Sequence, residues 1–296
     1  MPENNPFAAL SDAVEAAARR AAPLVAGLEW GGRHHISGTL WRPGVLVTSE
    51  QSLPRAEGYT AVLPGGARVA ATLAGRDNTT NLAVLRLEGE APAAVHAEPG
   101  GVGALLLALG SDGGGGVTAR MGVLEVLGPA WDSLRGGRID RLMRLGLRLG
   151  EAAEGGPVID AAGRLIGMST FGPRRSVLAI PASTIARVLD PLLREGRIAR
   201  GWLGVGLHPV TLPHDLAERA GTPHGLMVVS LEAEAPAAGV LLPGDILLAI
   251  GDAPVATPRS VAAALGPEQI GATVTLKLLR GGTLATPSVT VAARPA

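Results

Sequence analysis

The sequence contains no cysteine. That excludes a disulfide framework and thiolate metal sites, and it fits a reducing compartment. Aromatic residues are scarce, with 4 Trp, 2 Phe and 1 Tyr, so the cores must be built from Val, Leu, Ile and Ala. Neither charge sign is in excess, since 26 Lys+Arg face 26 Asp+Glu; an electrostatic nucleic-acid surface is therefore not expected. No run approaches the ~20 apolar residues of a membrane span. A secretory leader needs a basic start, an apolar run and a small-residue cleavage site. Residues 1–28 instead carry Glu3, Asp12 and Glu15 before any apolar run, and Pro23 interrupts the run from Ala21 to Leu28. These absences give the expectation of a protein of the cytoplasm, with no membrane and no nucleic-acid partner.

What is abundant is glycine (42), proline (23) and apolar side chains (47%) over 296 residues, enough for roughly two domains of ~100–200 residues. Residues 7–22 read as an amphipathic helix, with Phe7, Leu10, Val14 and Ala17/Ala18 at helical spacing and Pro23 ending it. It packs on its own domain or forms an oligomer contact. From Gly27 to about Met168 short β-rich runs alternate with Gly/Pro turns, among them SGTLW, VLVTS, LAVLRL, GPVID and RLIGMST. That spacing points to an all-β barrel or sandwich. Residues 182–195 read as one helix, N-capped by Ser183 and followed by Gly196. A small mixed α/β module starts near Gly201, with helix-like PHDLAERAG and PRSVAAALG.

Five segments, in order, resemble the HtrA/Deg family of serine proteases. VLVTSEQSL resembles the strand and loop carrying the catalytic His, RDNTTNLAVLRL the segment of the catalytic Asp, and EGGPVIDAAGRLIGMST the segment of the nucleophilic Ser. LAIPASTIARVLDPLLREGRIARGWLGVGL and LLPGDILLAIGDAPV resemble the linking helix and the PDZ domain. The resemblance implies a mainly β protein: two trypsin-like six-stranded antiparallel β-barrels and then a mixed α/β PDZ domain. The expected boundaries are an N-terminal helical extension (1–25), the double barrel (26–181), a linking helix (182–200) and the PDZ domain (201–296). It also implies a homo-trimer.

The family's chemistry is a proton relay, in which Ser attacks a carbonyl, His takes its proton and a carboxylate steadies the imidazolium. Here the His position falls on Gln51, the Asp position on Asn81 and the Ser position on Glu154. An amide is no base near neutral pH. A carboxylate at Glu154 opposes the oxyanion: two charges ~4 Å apart repel by about 4 kcal/mol at an effective dielectric of ~20. The oxyanion glycine falls on Ala152, where a Cβ disfavours positive φ. Ser49 and Ser52 lie near Gln51, but neither can replace the base, and no base–nucleophile pair is evident. Glu154 is read as a solvated loop carboxylate or as a contact for a bound partner.

The expectation is a catalytically inactive homologue serving as adaptor, chaperone-like or assembly subunit. The alternatives are an active HtrA-type serine endopeptidase in protein quality control and a purely structural subunit. The resemblance implies that the PDZ module takes protein or peptide C-termini by strand addition. The carboxylate loop would be Trp202, Leu203, Gly204 and Val205, and the groove helix would present Val261, Ala262 and Leu265. No cofactor is expected. No metal is expected either, because His34, His35, His208, His214 and His224 have no cysteine to join them and only His214 has an acidic residue, Glu218, at i, i+4 spacing. Gly113–Gly116 lacks the Lys-Ser/Thr of a phosphate loop. Arg174-Arg175 is solvated or meets a partner's carboxylate.

Overall fold

The computed structural model describes residues 5–31, 34–56, 58–88 and 94–295. Helix α1 (Pro6–Ala21) starts where the Asn5 side chain accepts the Phe7 and Ala8 amides, and it buries Ala17 and Ala21. Strands β1 (Val25–Trp30), β2 (His34–Arg42), β3 (Val45–Ser49), β4 (Tyr59–Val62), β5 (Arg68–Asp77) and β6 (Leu82–Leu87) close into one antiparallel barrel, in the order β1-β2-β3-β6-β5-β4. Next come β7 (Leu105–Ser111), β8 (Val117–Gly128) and a short ribbon of β9 (Trp131–Asp132) with β10 (Arg138–Ile139). Strands β11 (Leu142–Gly146), β12 (Pro157–Asp160), β13 (Leu165–Phe171) and β14 (Val177–Pro181) join β7 and β8 in the second closed barrel, in the order β11-β14-β13-β12-β7-β8. This is the mainly β, double six-stranded architecture expected from the sequence.

Each barrel is filled from alternating inward positions of its strands. Leu28, Leu40, Leu46 and Leu85 fill the first, and Leu106, Leu124, Met143 and Val158 the second. Each such side chain contributes about 1.5–3 kcal/mol by leaving water. A third cluster joins Val47, Leu82, Leu109 and Met168 to Ile185, Val188, Leu189 and Leu192 of helix α2 (Ala182–Glu195). Thus α2 packs its apolar face against the barrels. Its N-cap is Pro181 and no side chain caps it, so Ser183 does not have the capping role expected of it; Gly196 closes its far end in the left-handed region at φ 73°.

The chain divides into two compact units, one of Met1–Ser133 with Arg138–Ile198 and the other of Leu134–Gly137 with Ala199–Ala296. In the second unit, β15 (Gly201–Trp202) pairs with β23 (Ala292–Ala293). A larger antiparallel sheet holds β16 (Val205–Thr211), β17 (His224–Leu231), β18 (Ile246–Ile250), β20 (Thr273–Arg280) and β21 (Thr283–Ala285), with β19 (Ala253–Pro254) and β22 (Ser288–Thr290) at its margins. Helices α3 (His214–Ala220) and α4 (Pro258–Ala264) complete it, the latter opened by a Thr257/Ser260 capping box. Among the described residues, no helix is long and apolar enough to cross a membrane.

Asp245 anchors the turn into β18. It is 2% exposed, accepts the Leu242 amide at 2.9 Å, and accepts Arg280 Nε and Nη2 at 2.9 and 2.7 Å. Burial pulls its carboxyl up, but the Arg280 hydrogen bond, the Leu242 amide and the guanidinium charge outweigh burial and hold it below the ordinary aspartate value. A group depressed in the folded state stabilises above its unfolded value, and that stabilisation is lost as pH falls through the folded one. Asp245→Asn is therefore expected to weaken the second unit at pH 7. The difference from the parent should shrink as pH drops below about 3.9. Urea denaturation at pH 7 and at successively lower pH measures both.

Candidate active site

The three positions singled out by sequence come together on one side of the first unit. Gln51 lies on the 3-10 turn Glu50–Ser52 that follows β3. Asn81 stands at the turn into β6 with φ 58°, a left-handed conformation that Asn tolerates better than most residues. Asp77, the last residue of β5 and on the same turn as Asn81, shapes this corner: its carboxylate accepts the hydroxyls of Thr79 and Thr80, each at 2.6 Å. Glu154 follows the 3-10 turn Glu151–Ala153, directly before Gly155 and Gly156.

Glu154 is not the solvated carboxylate of the first expectation, because only 4% of it is exposed. Its Oε1 accepts four hydrogen bonds: from Ser49 Oγ at 2.9 Å, Gln51 Nε2 at 2.6 Å, Thr170 Oγ1 at 2.8 Å and the Phe171 amide at 3.2 Å. Its Oε2 accepts from Ser52 Oγ. No cation pairs with it among the described residues. Burying a carboxylate is costly unless hydrogen bonds replace its hydration, and these five donors do so. Asn81 feeds the same network, donating from Nδ2 to Ser49 Oγ at 3.0 Å and to Thr170 Oγ1 at 2.7 Å. Its Oδ1 accepts the Gln51 amide at 2.8 Å. Amide protons thus point at hydroxyls and hydroxyl protons at the carboxylate.

Ser49, Ser52, Thr170 and Phe171 are the members that sequence reasoning missed as a group. Ser49 and Ser52 were noted only as unable to replace a base, whereas here they are donors to a base. The signal was three small hydroxyl residues within two of the family's motif segments, Ser49 and Ser52 in VLVTSEQSL and Thr170 at the end of EGGPVIDAAGRLIGMST, more than 100 positions apart in the chain.

Ala152 sits within the 3-10 turn and is not among the positive-φ residues, which outside glycine are Asn81, Arg174 and Arg175 among the described residues. Its carbonyl accepts Ser37 Oγ at 2.6 Å. The Ala153 and Glu154 amides are turned back onto the carbonyls of Gly150 and Glu151, at 3.0 and 3.2 Å. A substrate carbonyl would have to displace those bonds to use these amides as an oxyanion hole. Nearby, Arg175 pairs with Glu151 at 3.0 Å and lies over the Phe171 ring at 4.8 Å.

In the second unit, Gly204 takes φ 73°, and a Cβ there would sit 2.0 Å from Ala235 Cβ. Only glycine allows the chain to turn there between β15 and β16. Leu203 and Leu265 are buried at 1% and 5% exposure and belong to the unit's core, with Val205 and Val261 packed against it. Trp202 and Ala262 are half-buried. The Gly204 carbonyl accepts the Glu232 amide at 2.9 Å.

Residues 36–168 match the trypsin-like peptidase domain family and residues 201–291 the PDZ domain family. Among curated proteins, the chain is 30% identical over 266 residues to the "Probable periplasmic serine endoprotease DegP-like" of Rhizobium meliloti (strain 1021), covering 85% of this chain and 52% of the relative. The protein of the same description from Bartonella henselae is 28% identical, with 81% of this chain and 49% of the relative covered. The chain spans about half the length of these relatives. Among solved structures, the HtrA-type protease AlgW with decapeptide aligns at TM-score 0.73 and 26% identity, over 95% of this chain and 98% of that one. The same protease with tripeptide aligns at TM-score 0.72 and 28% identity, over 96% and 98%.

Two expectations are corrected by these likenesses. The reading as a catalytically inactive adaptor gives way, because the curated relatives are named serine endoproteases and the similar solved structure is named an HtrA-type protease. The cytoplasmic placement gives way as well, because the curated relatives are named periplasmic. It had rested on a missing leader pattern, and a missing pattern carries no positive information about compartment.

Proposed function

We propose that this chain, which carries the trypsin-like peptidase domain and C-terminal PDZ domain of the HtrA/DegP-type serine proteases, is an endoprotease of unfolded protein chains that acts in the periplasm and recruits them by their C-termini. The supporting observation is the likeness over 95% of this chain to an HtrA-type protease with decapeptide, together with the matches to the trypsin-like peptidase and PDZ domain families. Strand addition requires an extended segment with free backbone groups, which a folded protein rarely offers and an unfolded one offers everywhere. The positive φ of Gly204, 73°, supports reading its loop as the one that receives a terminal carboxylate. The hydrolytic step does not run through a His–Asp–Ser relay, because Gln51, Asn81 and Glu154 stand in those places.

The test has two arms. Incubated with unfolded casein, the full chain is expected to release fragments, and casein left intact on prolonged incubation would rule out the protease reading. In the second arm, a peptide library read by fluorescence anisotropy is expected to yield ligands that bind as free acids and lose at least about tenfold in affinity as C-terminal amides, since one charge-assisted contact set is worth about 1.5–3 kcal/mol. Gly204→Ala should abolish that binding.

A further inference from the structure

The two oxygens of the Glu154 carboxylate are loaded unequally. Oε1 carries Ser49, Gln51, Thr170 and the Phe171 amide, while Oε2 carries Ser52 alone among the described residues. An oxygen with one donor keeps a lone pair able to take a proton, and here that donor is itself a hydroxyl. We infer that Ser52 is the nucleophile and Glu154 the general base of the hydrolytic step; the inference rests on the protease reading above.

Exposure separates the two serines. Ser49 Oγ also meets Glu154, but the residue is 0% exposed and no substrate can reach it. Ser52 is half-buried and ends a short turn whose preceding residue, Gln51, is exposed. The turn itself is fixed from both ends. The Gln51 amide is held by Asn81 Oδ1 at 2.8 Å, and the Leu53 amide by the Glu50 carbonyl at 3.2 Å. Gln51 Nε2 ties it to Oε1 of the carboxylate at 2.6 Å, and to the Phe171 carbonyl at 2.9 Å. In this arrangement the family's amide replacements position the pair, and the residue at the family's nucleophile position becomes the base. Nucleophile and base in hydrogen-bond contact, with the base oriented by further groups, is the general requirement of covalent hydrolysis.

The step balances without any other reactant. Ser52 Oγ bonds to the substrate carbonyl carbon as its proton passes to Glu154 Oε2, giving a tetrahedral oxyanion. Collapse breaks the C–N bond, and the leaving amine takes the proton from Glu154. The resulting Ser52 ester is attacked by water, whose proton goes to Glu154. Collapse then releases the carboxylic acid while Ser52 Oγ takes that proton back.

A fluorophosphonate, which bonds to an activated serine with loss of fluoride, reads the inference directly. Treated with it, the full chain is expected to carry the adduct on Ser52 by peptide mass spectrometry, and Ser52→Ala and Glu154→Gln are expected to carry none. Casein cleavage should fall at least about a hundredfold in both variants, the usual span of a lost acid–base group or nucleophile being larger still. Circular dichroism of Ser52→Ala should match the parent, and although the donor to Glu154 Oε2 is lost, a cooperative unfolding transition should remain above the assay conditions, so a loss of activity is not a loss of fold. Cleavage that survives in Ser52→Ala, or an adduct on another residue, overturns this assignment and leaves the protease reading standing. A parent chain that neither cleaves nor labels overturns both.

Discussion

Gly155→Ala is expected to cost the first unit more than about 3 kcal/mol, the range reached only when a specific structural mechanism is broken. Two independent terms add at this residue. Its φ is 88°, and an added Cβ would lie 2.3 Å from the Ser37 carbonyl oxygen and 2.3 Å from Thr48 Oγ1. A side chain in the left-handed region alone costs about 1–2 kcal/mol. The contact is worse, because Ser37 belongs to β2 of the closed first barrel and its carbonyl also accepts Thr48 Oγ1 at 2.7 Å. A backbone atom inside a closed barrel cannot retreat without moving its neighbours, and forced overpacking costs about 1–3 kcal/mol more. The Gly155 carbonyl also accepts Thr39 Oγ1 at 3.1 Å, and its amide donates to Ser169 at 2.9 Å. A shift at Gly155 therefore breaks hydrogen bonds on both sides. Urea unfolding of the first unit, followed by tryptophan fluorescence, is the measurement, with the midpoint expected to fall steeply or the folded state to be lost. Gly103→Ala is the control within the same unit, because its φ of 89° is also positive but nothing among the described residues lies within 4 Å of the added atom; there the backbone term acts alone.

Such geometry explains which parts of the molecule were legible in the sequence. The runs VLVTS and LAVLRL became β3 and β6 because β-branched and leucine-rich segments bounded by turns have few other places to go. Strand β11 was missed. Met143 and Leu145 face inward and Arg144 outward, but the segment RLMRLGLRLG is so dense in arginine that its period of two is hidden among exposed charges. Strand β18 is hidden differently: Ile246–Ile250 stands between the turn signals Gly244-Asp245 and Gly251-Asp252, and its pairing with β17 and β20 makes it a central strand. At the site, the sequence gives the identities of Gln51, Asn81 and Glu154, because local motif residues set their register. The sequence does not reveal that Glu154 is buried. That property depends on Thr170 and Phe171 at the end of β13 and on Ser49 and Ser52 beyond β3, brought against one carboxylate by the closure of two barrels.

Glu154→Ala and Glu154→Gln should therefore part company. Truncation to alanine removes the acceptor of five donors at once. Gln51 and Ser52, being exposed and half-buried, can turn to water. Ser49 and Thr170, at 0% and 2% exposure, cannot, and each orphaned buried donor costs about 1–3 kcal/mol. Against this stands relief from burying a charge with no cation paired to it among the described residues, a desolvation cost of several kcal/mol per ion. In the parent that cost is already offset by charge-assisted hydrogen bonds, so its removal does not compensate for a cavity lined with unsatisfied hydroxyls. The expected net loss is about 2–4 kcal/mol. Glutamine has the same shape and keeps an acceptor oxygen for the four donors on Oε1. Its new NH2 group faces Ser52, whose hydroxyl can rotate and accept instead of donate. The charge disappears together with its desolvation cost, and Glu154→Gln is expected to stay within about 1.5 kcal/mol of the parent. Denaturation curves of both variants at pH 7 measure the difference. A destabilisation of Glu154→Gln as large as that of Glu154→Ala would mean that the negative charge, rather than the hydrogen-bond acceptor, holds the two barrels' loops together at this point.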